Sequence, residues 1–416
     1  MSVIENPTST QDLGSFNGIR YVRYRGRFSG STVSGAFAVP YELVAPATPA
    51  QGSGTVVFEP PHFTSGPIAR DVYLGQGFLL DRGFLHGSVG YGNLWFRSLD
   101  PRAAFPLVIA GRQVPIVFPG QPGDVRDDNI LRHFAYTLRN SPPAFLGAVA
   151  RVYATGFSDS GDTVHRVYAQ FGHKLFDLTF AGTADYVAPS AGAGRLMVFN
   201  TEGDVDLRTV HDPAFPNRVC YAVPGAPHIP DTSATRAAFP DPPAPNTPFP
   251  AVAGTTPLSW APFARALFLA GDEWVRARRP PPPSATLQVN PGNVVARDVL
   301  CNARGGIRHP ALVMHEARFI ASVVRGRGWK EFGAYTPPAA PTDFDQYAHG
   351  FRAATEGLVG GRYLLRPDAD ALIQRATLHP GSSYTLNYML GRFVPTRAED
   401  GDGVLPLASA LVAAEV

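Results

Sequence analysis

The sequence predicts an α/β fold: a mostly parallel, doubly wound sheet, preceded by antiparallel strands, interrupted by a lid insertion and followed by a helical C-terminal extension. Three observations lead there. Short apolar runs closed by turn residues recur along the chain, as buried parallel strands do. Helical spacing follows the clearest of them, at Val164, Val167, Tyr168 and Phe171. The 42 Gly and 41 Pro among 416 residues exclude a coiled coil or helical solenoid, and 27 Phe, 15 Tyr and 4 Trp exclude a disordered chain. A chain this long exceeds the usual single core, so one large domain with insertions, or a core plus an appended unit, is expected.

Taken in order, residues 1–50 alternate apolar and polar side chains around Gly and Ser, most clearly over 19–28 and 33–43. This pattern predicts antiparallel strands that join the core sheet. The α/β core is expected over 51–235. Within it, 55–58 reads as a buried strand, 71–81 as a helix, and 84–89 as a second strand ending in Gly90-Tyr91-Gly92. Strand, helix, strand is how an α/β pattern opens. Residues 101–125, rich in Pro, Gly and bulky apolar side chains without a period, read as an insertion over one end of the sheet, and a helix is expected over 127–138.

The apolar run 150–154 leads straight into Thr155-Gly156-Phe157-Ser158-Asp159-Ser160-Gly161 and the helical spacing beyond it. Two further strands are expected: 196–200, ending in Thr201-Glu202-Gly203-Asp204, and 219–223, ending in Pro224-Gly225-Ala226-Pro227-His228. Eight prolines from Pro240 to Pro262 preclude a helix or central strand, so 236–285 reads as a flap followed by a core helix marked by Phe263, Leu267, Ala270 and Trp274. Pro280 to Pro283 form a stiff connector. Residues 286–416 make the C-terminal extension, with helices near 347–358 and 368–378.

Composition narrows the function. The net charge is +2, and the 36 cationic residues, only Lys174 and Lys330 not being Arg, are scattered. No basic run marks a nucleic-acid footprint. Cys220 and Cys301 cannot make a disulfide framework and read as two separately buried thiols; no Cys/His spacing suggests zinc, and no cofactor is expected. Without a basic n-region before an apolar stretch, or an apolar run of about 18 residues, a soluble, cytoplasmic protein with no membrane partner is expected.

Gly156-Phe157-Ser158-Asp159-Ser160 fits small-x-Ser-x-small, the pattern of a nucleophile elbow. The demand is steric: the serine sits on a strained strand-to-helix turn, so the residues two before and two after it must be small. A serine hydroxyl needs a base, itself oriented by a carboxylate, and in doubly wound hydrolases these follow in the order Ser, acid, His, each after a strand. Asp204 or Glu202 supplies the acid. Asp204 is favoured by its distance from the strand end, while Glu202 could reach the same imidazole. His228 supplies the base. The others fit less well: His165 and His173 read as surface or core-edge residues, His133 as a helix residue, and His309, His315, His349 and His379 as parts of the C-terminal unit.

His62 is the rival. It follows the strand 55–58 in Glu59-Pro60-Pro61-His62-Phe63, where such hydrolases place an oxyanion-hole N–H. Pro60 and Pro61 have no N–H, so the donor falls to His62 or Phe63, with the N–H of Asp159 as the other. Lining the pocket is the alternative role for His62. Tyr91, Trp95 and Phe96 could form an apolar pocket wall or pack beneath the insertion.

These passages, with 264–283 and Gly305-Gly306-Ile307-Arg308-His309-Pro310, resemble a large, mostly bacterial α/β-hydrolase-domain family with a G-F-S-x-S-G elbow. The resemblance runs from about Val56 to Ala376. It implies the α/β-hydrolase fold, a serine hydrolase core, Ser158 as nucleophile and His228 as base, without separating Glu202 from Asp204. Asp159 departs from the family, where Gln is common, and puts a carboxylate beside the nucleophile. Reaction class follows from this, ligand identity does not.

The expected function is hydrolysis of a small-molecule carboxylic ester through a Ser158–His228–Asp204/Glu202 triad. A lactone, thioester or activated amide would pass through the same chemistry, and a non-catalytic binding protein on the same scaffold is the alternative class. The apolar residues of 101–123 and 240–268 favour a hydrophobic or aromatic ester. A homo-oligomer built through the flap and the C-terminal unit is compatible with either class.

Overall fold

A computed structural model describes residues 2–62, 69–92, 107–114, 125–171, 175–184, 194–205, 217–229, 256, 258–315, 317–321, 333–336 and 343–377. The flap residues 236–255, most of the insertion, and Phe63, Trp95, Phe96, His173 and His379 lie outside these residues. The chain forms two compact units, one built from Met1–Asp71 and Gly75–Leu196, the other from Val72–Leu74 and Met197–Glu399.

The first unit opens with four antiparallel strands, β1 (Val3–Ile4), β2 (Ser9–Phe16), β3 (Ile19–Thr32) and β4 (Gly35–Pro46). Asn17 and Gly18, both at positive φ, close the β2–β3 hairpin in register Phe16↔Ile19. Two consecutive left-handed residues match the twist of the paired strands, which is why Asn-Gly serves there. Alternation along β4 then sorts its side chains. Phe37, Val39, Tyr41 and Leu43 enter the main core, and Val44 packs on the other face with Tyr21 and Leu80.

β4 hands over to the parallel part of the sheet by pairing antiparallel with β6 (Leu85–Val89). From there the order is β6, β5 (Thr55–Phe58), β9 (Arg151–Phe157) and β10 (Leu178–Gly182), each parallel to the next. The predicted α/β class holds, with a parallel centre and an antiparallel flank. Between β6 and β9 the described part of the insertion is a small hairpin, β7 (Val108–Ile109) with β8 (Arg112–Gln113), whose Val108 pairs with Ala38 of β4.

Two differences from the sequence reading have local causes. The helix expected over 71–81 is broken: a wide helical turn at Ala69–Leu74 and α1 (Gln76–Leu80) are separated by Gly75 at φ 86°. Strand β10 had no counterpart in the reading, because Thr179 interrupts the apolar run of Leu178-Thr-Phe-Ala-Gly182, and its pairing with β9 identifies it as a strand.

Helix α2 (Asp128–Asn140) starts where its cap predicts, since the Asp127 carboxylate accepts the N–H of Asn129 at 3.0 Å. Its Ile130, Leu131, Phe134 and Leu138 meet Val164 and Val167 of α3 (Asp159–Phe171) and the strand residues Val56, Phe58, Val89 and Val152 in one buried cluster.

The second unit takes over within β11 (Arg195–Thr201), whose neighbour is β12 (Arg218–Val223). Helix α4 (Ala261–Arg276) carries Pro262 in its first turn, where a missing N–H costs nothing, and buries Phe263, Leu267, Ala270 and Trp274 as expected. Helices Phe344–Gly360 and Arg366–Thr377 follow, the latter tied to α4 by Arg265–Asp368 at 2.6 Å. Cys220 is buried, but Cys301 is exposed, because it sits at the tip of a turn that Asp298 closes by accepting the N–H groups of Leu300 and Asn302. Among the described residues, no helix is long and apolar enough to cross a membrane.

Candidate active site

The turn from β9 into α3 forces Ser158 into the left-handed region, φ 54°, a conformation that costs a non-glycine residue on the order of 1 kcal/mol or more. Its surroundings hold it there. The Ser158 N–H donates to the carbonyl of Gly182 at 3.0 Å and to Thr183 Oγ1 at 2.9 Å, which anchors the turn to the end of β10. The Ser160 hydroxyl clasps the turn from inside, donating to the Phe157 carbonyl and accepting the Phe157 N–H, both at 2.9 Å.

Small volume matters at three places rather than two. A Cβ on Gly156 would lie 2.3 Å from the Ser160 carbonyl oxygen, and one on Gly161 would lie 2.4 Å from that of Gly182. Both obstacles are backbone atoms that cannot swing aside. Gly161→Ala is therefore expected to lower unfolding free energy by about 1–3 kcal/mol, through overpacking at the strand–helix contact. Gly357→Ala, on a helix with no atom within 4 Å of the new methyl, is expected to stabilise by about 0.5–1 kcal/mol. Denaturant titration of both variants checks this; equal effects would show that the close approach carries no energy.

Asp159 begins α3, so its N–H has no intrahelical acceptor and points out at the helix N-terminus beside Ser158. Its carboxylate meets Arg126 Nη1 at 3.3 Å, and Arg126 bridges to Gly92 just past the end of β6. Tyr91 is fully buried against α3, its hydroxyl 3.1 Å from Thr163 Oγ1. Burial, reinforced by the nearby Asp159 carboxylate, pushes this phenol well above its usual range. Tyr91 packs as core. His62 is buried beyond the end of β5.

The other candidates lie in the second unit. β11 ends at Thr201, whose hydroxyl donates to Asp204 Oδ2 at 2.6 Å; β12 ends at Val223, five residues before His228. His228 Nδ1 lies 2.9 Å from Asp204 Oδ1. An imidazole bound to a carboxylate through Nδ1 carries its neutral-form proton there, and Nε2 becomes the basic nitrogen. Both side chains are about one-fifth exposed, at 18% and 21%. Glu202 is turned elsewhere: its Oε2 accepts the Gly225 N–H at 2.7 Å and its Oε1 pairs with Arg297. Of the two acids the sequence offers, Asp204 contacts the imidazole.

Three other described histidines have evident structural surroundings. His165, read as a surface or core-edge residue, is buried on α3 on the face that carries Val164 and Tyr168. His309 caps the helix Pro310–Val313 by accepting the Ala311 N–H, and burial holds its pKa down at about 3. His133 is bonded to Ser2 Oγ at 2.7 Å. Among the described residues no group of three or more His, Cys, Asp or Glu could hold a metal ion. Sequence reasoning did not single out Thr183 or Arg297, each of which gains its contact only when distant turns come together, nor Thr201, whose bond to Asp204 lies within one turn.

A family model described as an alpha/beta hydrolase domain matches residues 43–374. No curated protein matches the chain. Among solved structures, esterase Est22 is 10% identical over 43% of this chain and 64% of its own, with a TM-score of 0.29. Brefeldin A esterase, described as a bacterial homologue of human hormone sensitive lipase, is 15% identical over 44% and 43%, with a TM-score of 0.25. A putative dienelactone hydrolase from Klebsiella pneumoniae is 16% identical over 49% and 86%, with a TM-score of 0.31. This chain thus spans less than two thirds of the length of the two esterases.

Proposed function

This chain belongs to the alpha/beta hydrolase domain family, and from that premise we propose that it is a serine hydrolase cleaving a carboxylic ester through an acyl-enzyme. The observation that carries the reading is the left-handed Ser158 on the β9–α3 turn, a strained conformation that the packing of Gly156, Ser160 and Gly161 maintains. The pairing of His228 with Asp204 supports it, since an imidazole oriented through Nδ1 is what a serine nucleophile requires.

In this reading Ser158 Oγ attacks the ester carbonyl as its proton passes to His228 Nε2. Asp204 holds the ring and balances the charge of the imidazolium. The oxyanion is met by the N–H of Asp159 and by one from the His62-Phe63 segment. His228 then returns the proton to the departing alcohol. Water repeats the sequence on the acyl group and frees Ser158.

A fluorophosphonate probe tests the reading directly. Stoichiometric labelling of Ser158 is expected, with none in Ser158→Ala; absence of label on folded wild-type protein would refute it. The preference for a hydrophobic or aromatic ester rests on the apolar composition of 101–123 and 240–268. A p-nitrophenyl ester series of increasing acyl length reads it out, and equal rates on every chain would count against it.

A further inference from the structure

The role left over for Glu202 leads to a further conclusion, which rests on the assignment of His228 as the base. We infer that Glu202 and Arg297 are positioning residues for His228, and that the C-terminal extension, through Arg297, is part of what builds the active site.

Three bonds join the turn after β11 to the end of β12 and the turn that follows it. Asp204 Oδ1 meets His228 Nδ1 at 2.9 Å, Glu202 Oε2 accepts the Gly225 N–H at 2.7 Å, and the Glu202 N–H donates to the Val223 carbonyl at 3.0 Å. The last two do not touch the imidazole. They set where the turn carrying it begins, three residues upstream. A shift of this turn would move the ring relative to whatever it acts on, and misplacement by about 1 Å can cost on the order of 10²-fold in rate.

Glu202 cannot do this alone. Its side chain is 8% exposed, and a buried carboxylate with a single neutral donor is costly. Arg297 Nη1 supplies the opposite charge on the other oxygen. Arg297 is in turn fixed by its own loop. It bridges to Ala303, and the adjacent Asp298 binds Arg308 at 2.8 Å while closing the turn over Leu300 and Asn302.

Neighbouring segments hold β12 and the same turn. Ala285 bonds to both Ala222 and Cys220, and the Ile307 N–H donates to the Ala222 carbonyl at 2.8 Å, so the arm runs against β12. A Cβ on Gly225 would lie 2.9 Å from Phe319 Cβ, and Trp260 Nε1 donates to the Pro227 carbonyl at 3.0 Å, one residue from His228. The arm 285–319 thus acts as a rigid template for the base. Removing Arg297 leaves Glu202 an uncompensated charge that gains by turning to water, and the Gly225 N–H is then released.

The test compares wild type, Arg297→Ala, Arg297→Lys, Glu202→Ala and Glu202→Gln by fluorophosphonate labelling rate and by p-nitrophenyl ester kinetics, each scaled to the folded fraction from thermal unfolding. Arg297→Ala and Glu202→Ala are expected to lower kcat and the labelling rate by about tenfold to a hundredfold, with KM changed by less than about twofold. Arg297→Lys and Glu202→Gln, which keep a cation and an acceptor, are expected to recover most of the rate. The double alanine variant should be no slower than the worse single one. If wild type does not label, the serine hydrolase reading itself fails. If wild type labels and the folded alanine variants label equally fast, the inference alone is overturned. Loss of the fold in both alanine variants would also overturn it, because the pair would then hold the unit together rather than orient the base.

Discussion

His228→Ala is expected to lower kcat on an activated ester by about 10⁴–10⁶-fold, and the Ser158→Ala, His228→Ala double variant to be no slower than either single variant. The reason is that, in the proposed triad, the hydroxyl, the imidazole and the carboxylate act as one unit. A serine without a base is a poor nucleophile at neutral pH, and a base without the serine has no proton to take, so the second deletion finds nothing left to remove. Asp204→Asn should be nearly as damaging, about 10⁴-fold. Both Asp204 oxygens accept, Oδ1 from His228 Nδ1 and Oδ2 from the Thr201 hydroxyl, and an amide would turn a donor toward one of these two partners. If it faced Nδ1, the imidazole would flip to the wrong tautomer. Steady-state kinetics with the double variant decides the matter; strictly additive losses would mean that Ser158 and His228 do not share a mechanism.

Arg70→Met is expected to cost about 3–5 kcal/mol of stability, the range for breaking a buried ion pair from one side. The Arg70 guanidinium is buried against Glu42, its Nη1 2.5 Å from Glu42 Oε1, while the backbone N–H of Arg70, which the substitution keeps, donates to Glu59 Oε2 at 3.0 Å. Burial would by itself raise the Glu42 carboxyl, but Arg70, Arg23 and Arg25 outweigh it and bring the group down to about 2. The linked pH dependence has a definite sign. Because the folded value lies below the unfolded one near 4.5, the stabilisation is complete above pH 4.5 and fades as pH falls toward 2.

Methionine at position 70 matches the aliphatic length of arginine but leaves Glu42 with two more distant arginines. The variant should therefore lose stability at pH 7 and show a weaker acid dependence than wild type. Urea titrations at several pH values read out both effects; an unfolding free energy within about 1 kcal/mol of wild type at pH 7 would show that the cluster is not held by this cation.

The same residues mark where the sequence is legible and where it stops. Strands β5, β6, β9, β11 and β12, helices α2, α3 and α4, and the elbow were readable because each states its conformation locally: apolar runs closed by turn residues, a 3.6-residue period, and small residues around Ser158. Steric demand at a strand-to-helix turn is written within six positions. Strand β10 and the break at Gly75 were not readable, since Thr179 interrupts the apolar run of β10 and a single glycine is compatible with a continuing helix.

At the candidate site the division is sharper. Sequence alone determined that a hydroxyl, two carboxylates and an imidazole stand at strand ends, because residue type and spacing from a strand are local facts. It left Asp204 and Glu202 open, since both lie on one short turn and their reach overlaps. Tertiary structure turned Asp204 to His228 and Glu202 to Gly225 and Arg297. Arg297 is separated from Glu202 by 95 positions, and the burial that makes a cation necessary there exists only once the C-terminal arm lies against β12. Charge compensation is set by which groups are removed from water together, and that is decided by the folded chain rather than by any local pattern.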